Sequence, residues 1–322
     1  KIINFNYKFY KYLPKKGFFQ SRISYIIIYL VCFMPLLRLI KTLKPDYFIS
    51  HLITSLPLTI MNLFKFNTKF ILRISGMPKL NFIRKNFWKL ISSRIFIVTC
   101  PSLELKSKLR NMNLFEESKL HFLPDAIIDI NKFKIQSKEE THVLQKFEKK
   151  RIIFSAGRLT KQKNFTYLID EFCLFSQTNK DFVLLILGDG EEKNVLEKKI
   201  KEKNLEEKVF LIGHVKNVYK FFKKGEIFVL SSLWEEVGFV MVEAALSNLF
   251  VISSNCPNGP SEFLENGQNG ILFQNNKFGE LTKSLKKYLN IENKKKHKYE
   301  VKKSTMKYSR FRHFIELEKT LK

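Results

Sequence analysis

Cysteines, secretion signals and long apolar runs are scarce or missing in this sequence. Its four cysteines lie far apart and form no C-x-x-C pair. We therefore expect neither a disulfide framework nor a structural zinc site, and we expect a reducing cytoplasm as the compartment. No secretory signal pattern is visible. What is present, 45% apolar and 27% charged residues over 322 positions, is the composition of a folded protein with two domains and excludes a disordered or fibrous chain.

Acidic residues are almost missing from the first third of the chain. Residues 1–100 contain 17 Lys and Arg but a single acid, Asp46, whereas residues 101–322 contain 40 basic and 29 acidic residues. This asymmetry predicts that the first third faces an anionic partner. A nucleic acid would be such a partner, but no helix-turn-helix, zinc finger or RNA-recognition signature accompanies the charge. We therefore expect no nucleic acid.

The most apolar stretch, residues 25–37, is too short to cross a bilayer. It has 13 residues where about 20 are needed, and Pro35 interrupts it before Arg38 closes it. One interpretation is a buried helix. The other is a helix whose apolar face enters a membrane interface, held by basic residues that each add about 1 kcal/mol near anionic lipid. The basic residues concerned are Lys11, Lys15, Lys16, Arg22, Lys41 and Lys44.

The first block of the chain alternates between strand and helix patterns. Strands are predicted at 47–50, 70–74, 95–99 and 120–123, with helices at 52–64, 80–92 and 102–112. Residues 130–150 are polar and charged, which is typical of a linker. We divide the chain into a first domain (1–135), a linker (136–150), a second domain (151–293) and a Lys-rich helical tail (294–322).

The second block alternates more clearly. Strands are predicted at 152–155, 182–187, 209–212, 227–230 and 250–253, each followed by a segment of helix length. Strands that alternate with helices indicate a parallel, doubly wound sheet. Two such blocks predict an α/β fold of two Rossmann-like doubly wound domains with a cleft between them, where ligands bind beyond the carboxyl ends of the strands.

A cationic turn follows the first strand of the second block. Gly157 and Arg158 end the strand, and Lys163 precedes the next helix. A guanidinium binds phosphate through two parallel hydrogen bonds, an ammonium adds a point charge, and a helix N-terminus adds N–H donors. The turn therefore predicts a diphosphate site, although a solvated loop in a Lys-rich chain would have the same spacing. Gly188-Asp189-Gly190, after the second strand, is typical of a simple turn when taken alone.

Two glutamates follow the strand at 227–230. Glu235 lies in the loop, Gly238 gives that loop conformational freedom, and a helix is predicted to start near Phe239. Glu243 then falls in the early turns of the helix, where a carboxylate is favoured by the helix dipole. One acid there would be explained by capping. Two, separated by seven residues, predict a site for a hydroxyl-rich ligand, because carboxylates accept hydrogen bonds from neighbouring sugar hydroxyls.

The order of these motifs resembles the retaining glycosyltransferases of family 4, which have the GT-B fold. The resemblance covers residues 151–275, and the first block is similar only in its outline of elements. The matching pieces are Gly157-Arg158-Leu159 with Lys163-Asn164, Gly188-Asp189-Gly190, Ile212-Gly213-His214-Val215, the glutamate pair ending in Glu243-Ala244, Pro257-Asn258-Gly259-Pro260-Ser261-Glu262, and Asn269-Gly270-Ile271-Leu272.

The resemblance implies a role for each matching residue. Arg158, Lys163 and Glu235 would be catalytic, the two cations binding the donor diphosphate and the acid contacting the transferred sugar. Glu243 would bind the ribose. The further donor-binding positions implied are Gly157 and Gly188 in the turns, Gly213, His214 and Val215 beside the base, and Gly238, Phe239 and Val240 at the phosphate and sugar. Glu262 is a candidate for supporting the site.

The resemblance also implies a mechanism without a side-chain nucleophile, a cofactor or a metal. The nucleoside diphosphate leaves, the acceptor hydroxyl attacks from the same face and passes its proton to the departing phosphate, and the anomeric configuration is retained. The sequence has no D-x-D triplet of the kind that holds a divalent cation in the other large glycosyltransferase fold.

Some family features are missing from the first block. No glycine-rich loop is found at residues 1–17, which predicts that the chain is truncated at its start. Ser75-Gly76 stands where the family often has a histidine, and Asp125-Ala126 stands where it usually has Asn-Gly. His51 is an alternative candidate to face the cleft, and a structural histidine is the competing interpretation.

The function expected is transfer of a sugar from a nucleotide-sugar donor to an envelope glycan or lipid-linked acceptor, such as lipopolysaccharide or capsule. The basic first domain would lie on an anionic membrane surface, as a peripheral protein at the inner face of the membrane. Three alternatives stay open: a fragment that binds the nucleotide sugar without transfer, a nucleotide-sugar epimerase, and a basic nucleic-acid-binding protein.

Overall fold

The computed structural model describes residues 18–51, 54–78 and 80–322, with side chains from residue 23 onward. These residues form two compact units. One comprises the described residues up to Thr99 together with Met112–Leu120, and the other comprises Cys100–Asn111 and His121–Lys322. Residues 100–111 and 121–135, which the sequence analysis places in the first domain, thus belong by their contacts to the second unit.

The first unit contains a four-stranded sheet in the order β1-β2-β3-β4, whose last strand begins at the boundary of the unit. The strands are β1 (Tyr47–His51), β2 (Lys69–Arg73), β3 (Ile97–Cys100) and β4 (Leu120–Phe122), and β1, β2 and β3 run parallel. The helices that alternate with them along the chain are α1 (Phe18–Leu43), α2 (Ser55–Leu63), α3 (Phe82–Ile91) and α4 (Leu103–Asn111), of which α4 belongs to the second unit. The strand-and-helix alternation predicted for this block is confirmed.

Helix α1 is longer and more exposed than the sequence analysis expects. It has 26 residues and continues through Pro35. Residues 23–43 have a mean hydropathy of 2.2 and the length to cross a membrane, a test that core helices and signal sequences also pass. Only Leu37 and Ile40 are buried among its described side chains. The buried-helix interpretation is therefore wrong. The apolar side chains at the surface are Ile23, Tyr25, Ile26, Leu30, Met34 and Leu43.

The second unit is built on a six-stranded parallel sheet in the order β10-β9-β8-β5-β6-β7. The strands are β5 (Arg151–Ala156), β6 (Phe182–Leu187), β7 (Val209–Gly213), β8 (Ile227–Leu230), β9 (Phe250–Ser254) and β10 (Ile271–Phe273). The chain leaves β5 in one direction for β6 and β7 and then returns to place β8 on the other side. The sheet therefore has a topological switch point between β5 and β8, which is where ligands bind in such folds.

Helices cover both faces of this sheet, as a doubly wound fold requires. The helices that follow β4 along the chain are α5 (Ile130–Gln136), α6 (Phe165–Ser176), α7 (Lys193–Glu202), α8 (Tyr219–Phe222), α9 (Phe239–Leu246), α10 (Pro260–Phe263), α11 (Glu280–Leu289), α12 (Lys294–Ser304) and α13 (Arg310–Leu321). Successive residues of β5 alternate between the two apolar clusters, with Phe154 in one and Ile153 in the other. Because both faces are buried, the strands are continuous apolar runs.

The segment 130–150 is more ordered than its polar composition suggests. It contains α5 and a 3₁₀-helix, His142–Phe147. Leu144 and Phe147, three residues apart on that 3₁₀-helix, are buried in the core beside β5. These two apolar side chains anchor the segment, so it is not the simple linker expected. The tail is helical as predicted, and Arg310 N–H bonds the Ile128 carbonyl at 3.0 Å.

Candidate functional site

A pocket of about 410 Å³ lies at the carboxyl ends of β5 and β6, beside the switch point. It brings together residues that follow three different strands and one that belongs to α9. Its lining is Ala156, Gly157, Arg158, Leu187, Gly188, Asp189, His214, Val215, Val218 and Val240. Six of the residues predicted from the sequence are therefore neighbours: Gly157, Arg158, Gly188, His214, Val215 and Val240.

The floor of the pocket is made by backbone groups packed too closely for side chains. Gly188 N–H donates to the Gly213 carbonyl at 2.8 Å, and Gly157 N–H donates to the Leu187 carbonyl at 3.0 Å. A Cβ atom on Gly188 would lie 1.8 Å from the Gly157 carbonyl oxygen. Only glycine fits at 188. Main-chain hydrogen bonds thereby join the segments at the ends of β5, β6 and β7. The Gly188-Asp189-Gly190 motif is therefore more than a simple turn.

Arg158 is the cation on the pocket wall. Its side chain is exposed, and within the described part of the chain it has no carboxylate partner. A guanidinium in that state can bind the two oxygens of a phosphate or carboxylate side by side. The pocket thus presents a free cation beside a floor of backbone.

Lys163 and Glu235, predicted in separate motifs, form an ion pair. Lys163 Nζ lies 2.5 Å from Glu235 Oε1, and the side chains are only 16% and 7% exposed. Ser232 Oγ donates to the same carboxylate oxygen at 2.5 Å. A Cβ atom added to Gly157 would lie 3.0 Å from the Lys163 Cε atom, so the lysine side chain packs against this glycine. The ammonium is therefore positioned between the pocket's first turn and the buried carboxylate.

The loop that holds Glu235 is fixed on both sides by hydrogen bonds to its main-chain groups. Leu233 N–H donates to the Gln162 carbonyl at 2.8 Å, and Gln162 Nε2 donates to the Trp234 carbonyl at 2.8 Å. On the other side Glu235 N–H donates to the Pro257 carbonyl at 3.2 Å. These bonds tie the loop after β8 to the turn after β5 and to the loop after β9. Glu235 is thus preorganised rather than placed on a free loop.

Helix α9 carries the second glutamate. It starts directly after Gly238, whose φ of +80° is left-handed and favours glycine. Phe239 is half exposed, Val240 lines the pocket, and Glu243 follows three residues later on the same side of the helix. The Tyr219 hydroxyl lies 3.4 Å from Glu243 Oε1 and donates to it. Burial raises the pKa of the Glu243 carboxyl, and the hydrogen bond from Tyr219 opposes that rise.

A set of small polar side chains under the Glu235 loop was not predicted from the sequence. Ser231 Oγ donates to the Lys163 carbonyl at 2.8 Å, and Ser254 Oγ donates to the Ser232 carbonyl at 2.6 Å. Cys256 is buried close by, and burial raises the pKa of its thiol to about 11. The available signal was a pair of serines at the carboxyl ends of two successive strands, a pattern that turns also show.

Several predicted site residues are not among the residues that line this pocket: Lys163, Gly213, Glu235, Gly238, Phe239 and Glu243. Two further candidates, His51 and Glu262, also lie outside the lining. His51, in the first unit, has its Nε2 atom 3.1 Å from Ser75 Oγ, and burial, followed by the charge of Arg73, lowers the pKa of its imidazole. Glu262 Oε2 accepts the Leu103 N–H at 2.7 Å, at the start of α4, and burial raises the pKa of its carboxyl. Within residues 18–51, 54–78 and 80–322, no three His, Cys, Asp or Glu side chains cluster as metal ligands.

Two curated relatives match most of the chain. It is 33% identical over 245 residues to an uncharacterized glycosyltransferase of Methanocaldococcus jannaschii, covering 71% of this chain and 60% of that protein. It is 27% identical over 231 residues to the N-acetylgalactosamine-N,N'-diacetylbacillosaminyl-diphospho-undecaprenol 4-alpha-N-acetylgalactosaminyltransferase of Campylobacter jejuni, covering 69% and 60%. The chain thus spans about 60% of the length of these relatives.

A solved structure with the same fold is Anabaena HepE in complex with UDP. The TM-score is 0.74 at 16% identity, covering 89% of this chain and 82% of HepE. This likeness confirms the predicted GT-B class, a mixed α/β fold with parallel sheets. The family model described as glycosyl transferases group 1 matches residues 136–305, just over half of the chain and all of the pocket lining. The chain therefore belongs to the glycosyl transferases group 1 family.

Proposed function

We propose that the protein transfers a sugar from a nucleotide-sugar donor to a glycan or lipid-linked acceptor. The observation that carries this proposal is the exposed Arg158 cation on the wall of the pocket at the switch point, together with the buried Lys163–Glu235 pair, whose lysine packs against Gly157 of the pocket lining. HepE, which has the same fold, is described in complex with UDP, and the Campylobacter jejuni relative is named for a diphospho-undecaprenol acceptor. The two names agree with a donor diphosphate and a lipid-linked acceptor.

The donor diphosphate would be held by Arg158 and Lys163. An ammonium has three N–H donors, so Lys163 can keep Glu235 as one partner and bind a phosphate oxygen with another. His214 and Val215, which also line the pocket, would then flank the base. Glu243, which already accepts a hydrogen bond from Tyr219, would accept the ribose hydroxyls. These roles use both cations at the place where the leaving group carries its charge.

The transferred sugar would be recognised by Glu235. Its Oε1 atom is engaged by both Lys163 and Ser232. Its Oε2 atom has no hydrogen-bond partner among the described residues and is not one of the fully buried, unpaired atoms. A carboxylate fixed through one oxygen can direct the other at neighbouring hydroxyls. Glu235 therefore acts as an acceptor for the sugar rather than as a nucleophile.

Catalysis would come from stabilising the departing diphosphate. As the glycosidic bond breaks, negative charge grows on the β-phosphate, beside the Arg158 and Lys163 cations. Preorganised charges of this kind are worth more inside a partly buried site than in water. We propose retention of configuration without a side-chain nucleophile and without a divalent metal, as in family 4. Retention is tested from the anomeric coupling constant of the product, and metal independence from the rate in EDTA.

The first experiment is a screen of UDP-, GDP- and ADP-sugars for thermal stabilisation of the protein. A bound donor raises the unfolding temperature, because it binds only the folded state. Arg158→Ala and Glu235→Ala should abolish transfer of the sugar identified. Lys161→Met is the control, because Lys161 lies in the same turn, is exposed and forms no ion pair in the described structure. If both alanine variants transferred sugar at the wild-type rate, the proposal would be wrong.

We also propose that the first unit binds an anionic membrane surface at the inner face of the membrane, as a peripheral protein. The support is the exposed apolar side chains of α1 and the near absence of acids from residues 1–100. Flotation with vesicles of phosphatidylglycerol against phosphatidylcholine tests this. Binding to both vesicle types, or to neither, would contradict it, and duplex DNA in place of vesicles tests the expected lack of nucleic-acid binding.

A further inference from the structure

Helix α4 and the segment of residues 257–262 are joined by three hydrogen bonds within the second unit. Asn258 N–H donates to Glu104 Oε2 at 2.8 Å, and Lys108 Nζ donates to Asn258 Oδ1 at 3.2 Å. In return, Leu103 N–H donates to Glu262 Oε2 at 2.7 Å. Lys108 Nζ also lies 2.6 Å from Glu104 Oε1. Glu104 and Lys108, two of the charged side chains of α4, thus hold Asn258 by its main chain and its side chain together.

We call Glu104 and Lys108 the clamp. It acts on Asn258, a residue in an unfavourable backbone conformation. Asn258 has a φ of +64° and is only 9% exposed. The left-handed region is uncommon for residues other than glycine, although asparagine enters it more readily than most. Hydrogen bonds to charged partners are stronger than neutral ones. Glu104 and Lys108 therefore hold the chain at 258 in a conformation that it would otherwise leave more easily.

Both neighbours of Asn258 touch the loop that carries Glu235. The Pro257 carbonyl accepts the Glu235 N–H at 3.2 Å. On the other side, a Cβ atom on Gly259 would lie 2.7 Å from the Val237 Cα atom, so the two backbones are in direct contact. Val237 is 1% exposed. Any movement at Asn258 would therefore displace the Glu235 loop.

We infer that Glu104 and Lys108 are positioning residues that set the place of the Glu235 carboxylate through Asn258. Their consequence for catalysis rests on the proposed function, since it assumes that Glu235 contacts the donor sugar. Their effect on the position of the loop is independent of the proposed function. Within the described structure neither residue has a hydrogen bond or an ion pair with Arg158 or Lys163, so they should affect recognition of the sugar more than binding of the nucleoside diphosphate.

Amide hydrogen exchange of the ligand-free protein tests the effect on the loop. In Glu104→Ala and Lys108→Met, exchange of the peptide covering residues 233–238 should become about ten-fold faster, because local opening becomes easier. Glu104→Gln, whose amide oxygen can still accept from Asn258, should restore most of the protection. Lys106→Met is the matched control, since Lys106 is on the same helix and forms no ion pair in the described structure. Unchanged exchange in the two variants, or equal acceleration in the control, would overturn the inference.

Calorimetric titration tests the effect on the donor. UDP-, GDP- and ADP-glucose and the three free diphosphates are titrated into the wild type and the variants. The variants should lose about ten-fold in affinity for the nucleotide sugar that binds while keeping the affinity for its diphosphate, which Arg158 and Lys163 hold. Equal losses for both ligands would refute sugar positioning. If the wild type bound none of the six ligands, the proposed function would be in error, and the exchange result would still decide the role of the clamp.

Discussion

The two units meet their surroundings in different ways. In the second unit, each glutamate of the site has a fixed partner: Lys163 and Ser232 for Glu235, and Tyr219 for Glu243. In the first unit, α1 presents large apolar side chains to the surface, and the sequence to residue 100 supplies 17 cations against one acid. The first arrangement suits a small ligand with directional groups. The second suits an extended anionic surface, which needs no fixed geometry.

The largest effect should come from breaking the Lys163–Glu235 pair. Lys163→Met and Glu235→Gln should each lower kcat/KM for transfer by roughly 100- to 1000-fold, the range for losing one preorganised transition-state contact. Because the two groups share one buried bond, kcat/KM of the double variant should be only slightly lower than that of the less active single variant. Steady-state kinetics of the three variants provide the measurement.

The exposed pair Lys193 and Glu197 on α7 is the control for this cycle. Their side chains are 48% and 49% exposed and 4.0 Å apart, so removing either should change the rate less than about two-fold. Strictly additive losses at Lys163 and Glu235 would mean that the two groups act independently. The second unit would then lack the fixed geometry on which the comparison depends.

The next largest effect should come from Gly188→Ala. The new Cβ would lie 1.8 Å from the Gly157 carbonyl oxygen, and φ is +147°, so the turns after β5 and β6 must separate. We expect donor affinity to fall by about ten-fold or more and the free energy of unfolding to fall by about 1–3 kcal/mol, a common loss for overpacking. Thermal melts with and without donor measure both. Gly279→Ala is the control, because its φ of +81° is also strained but nothing lies within 4 Å of its Cβ position. An equal loss of donor affinity in the control would show that the close contact at Gly188 is unimportant.

Much of the second unit could be predicted because its strands are buried on both faces and its motifs follow the strands directly. The switch point placed the loops after β5 and β8 side by side, since these strands are neighbours. The bond between Lys163 and Glu235 could not be predicted, because two side chains 72 positions apart pair only through side-chain geometry. The three-residue strand β10 was missed because so short a run has no detectable period.

The errors elsewhere have physical causes too. Pro35 predicts an interruption of the apolar stretch, yet α1 continues past it in an apolar sequence, at the cost of one helical hydrogen bond. The composition around Leu144 predicts a linker, because charged residues outnumber apolar ones, although burial of Leu144 and Phe147 is enough to fix the segment. Composition describes the average of a segment, whereas packing depends on individual side chains.

The membrane binding proposed for the first unit is tested by placing negative charges on the exposed face of α1. Ile26 and Leu30 are 59% and 66% exposed. The double variant Ile26→Asp with Leu30→Asp should bind phosphatidylglycerol vesicles at least about ten-fold more weakly, since it removes apolar area and repels anionic lipid. Ile135→Asp, at an equally exposed residue of the second unit, should bind as the wild type does. Vesicle binding that fell only with the Ile135 variant would place the lipid contact on the second unit.

The smallest effect should be on the stability of the second unit, which the desolvation of the Glu243 carboxylate lowers at neutral pH. Burial raises the pKa of Glu243 above its ordinary value of 4.5, so the folded state binds its proton more tightly than the unfolded state does. Stability from this group is therefore present at low pH and is lost as pH rises through the folded-state pKa. Glu243→Gln should unfold at a slightly higher temperature than the wild type at pH 7, and the difference should shrink toward pH 4. The same variant should bind the donor more weakly, because an amide is a poorer acceptor for hydroxyls than a carboxylate. A variant less stable than the wild type at pH 7 would mean that the hydrogen bond from Tyr219 outweighs the desolvation of the carboxylate.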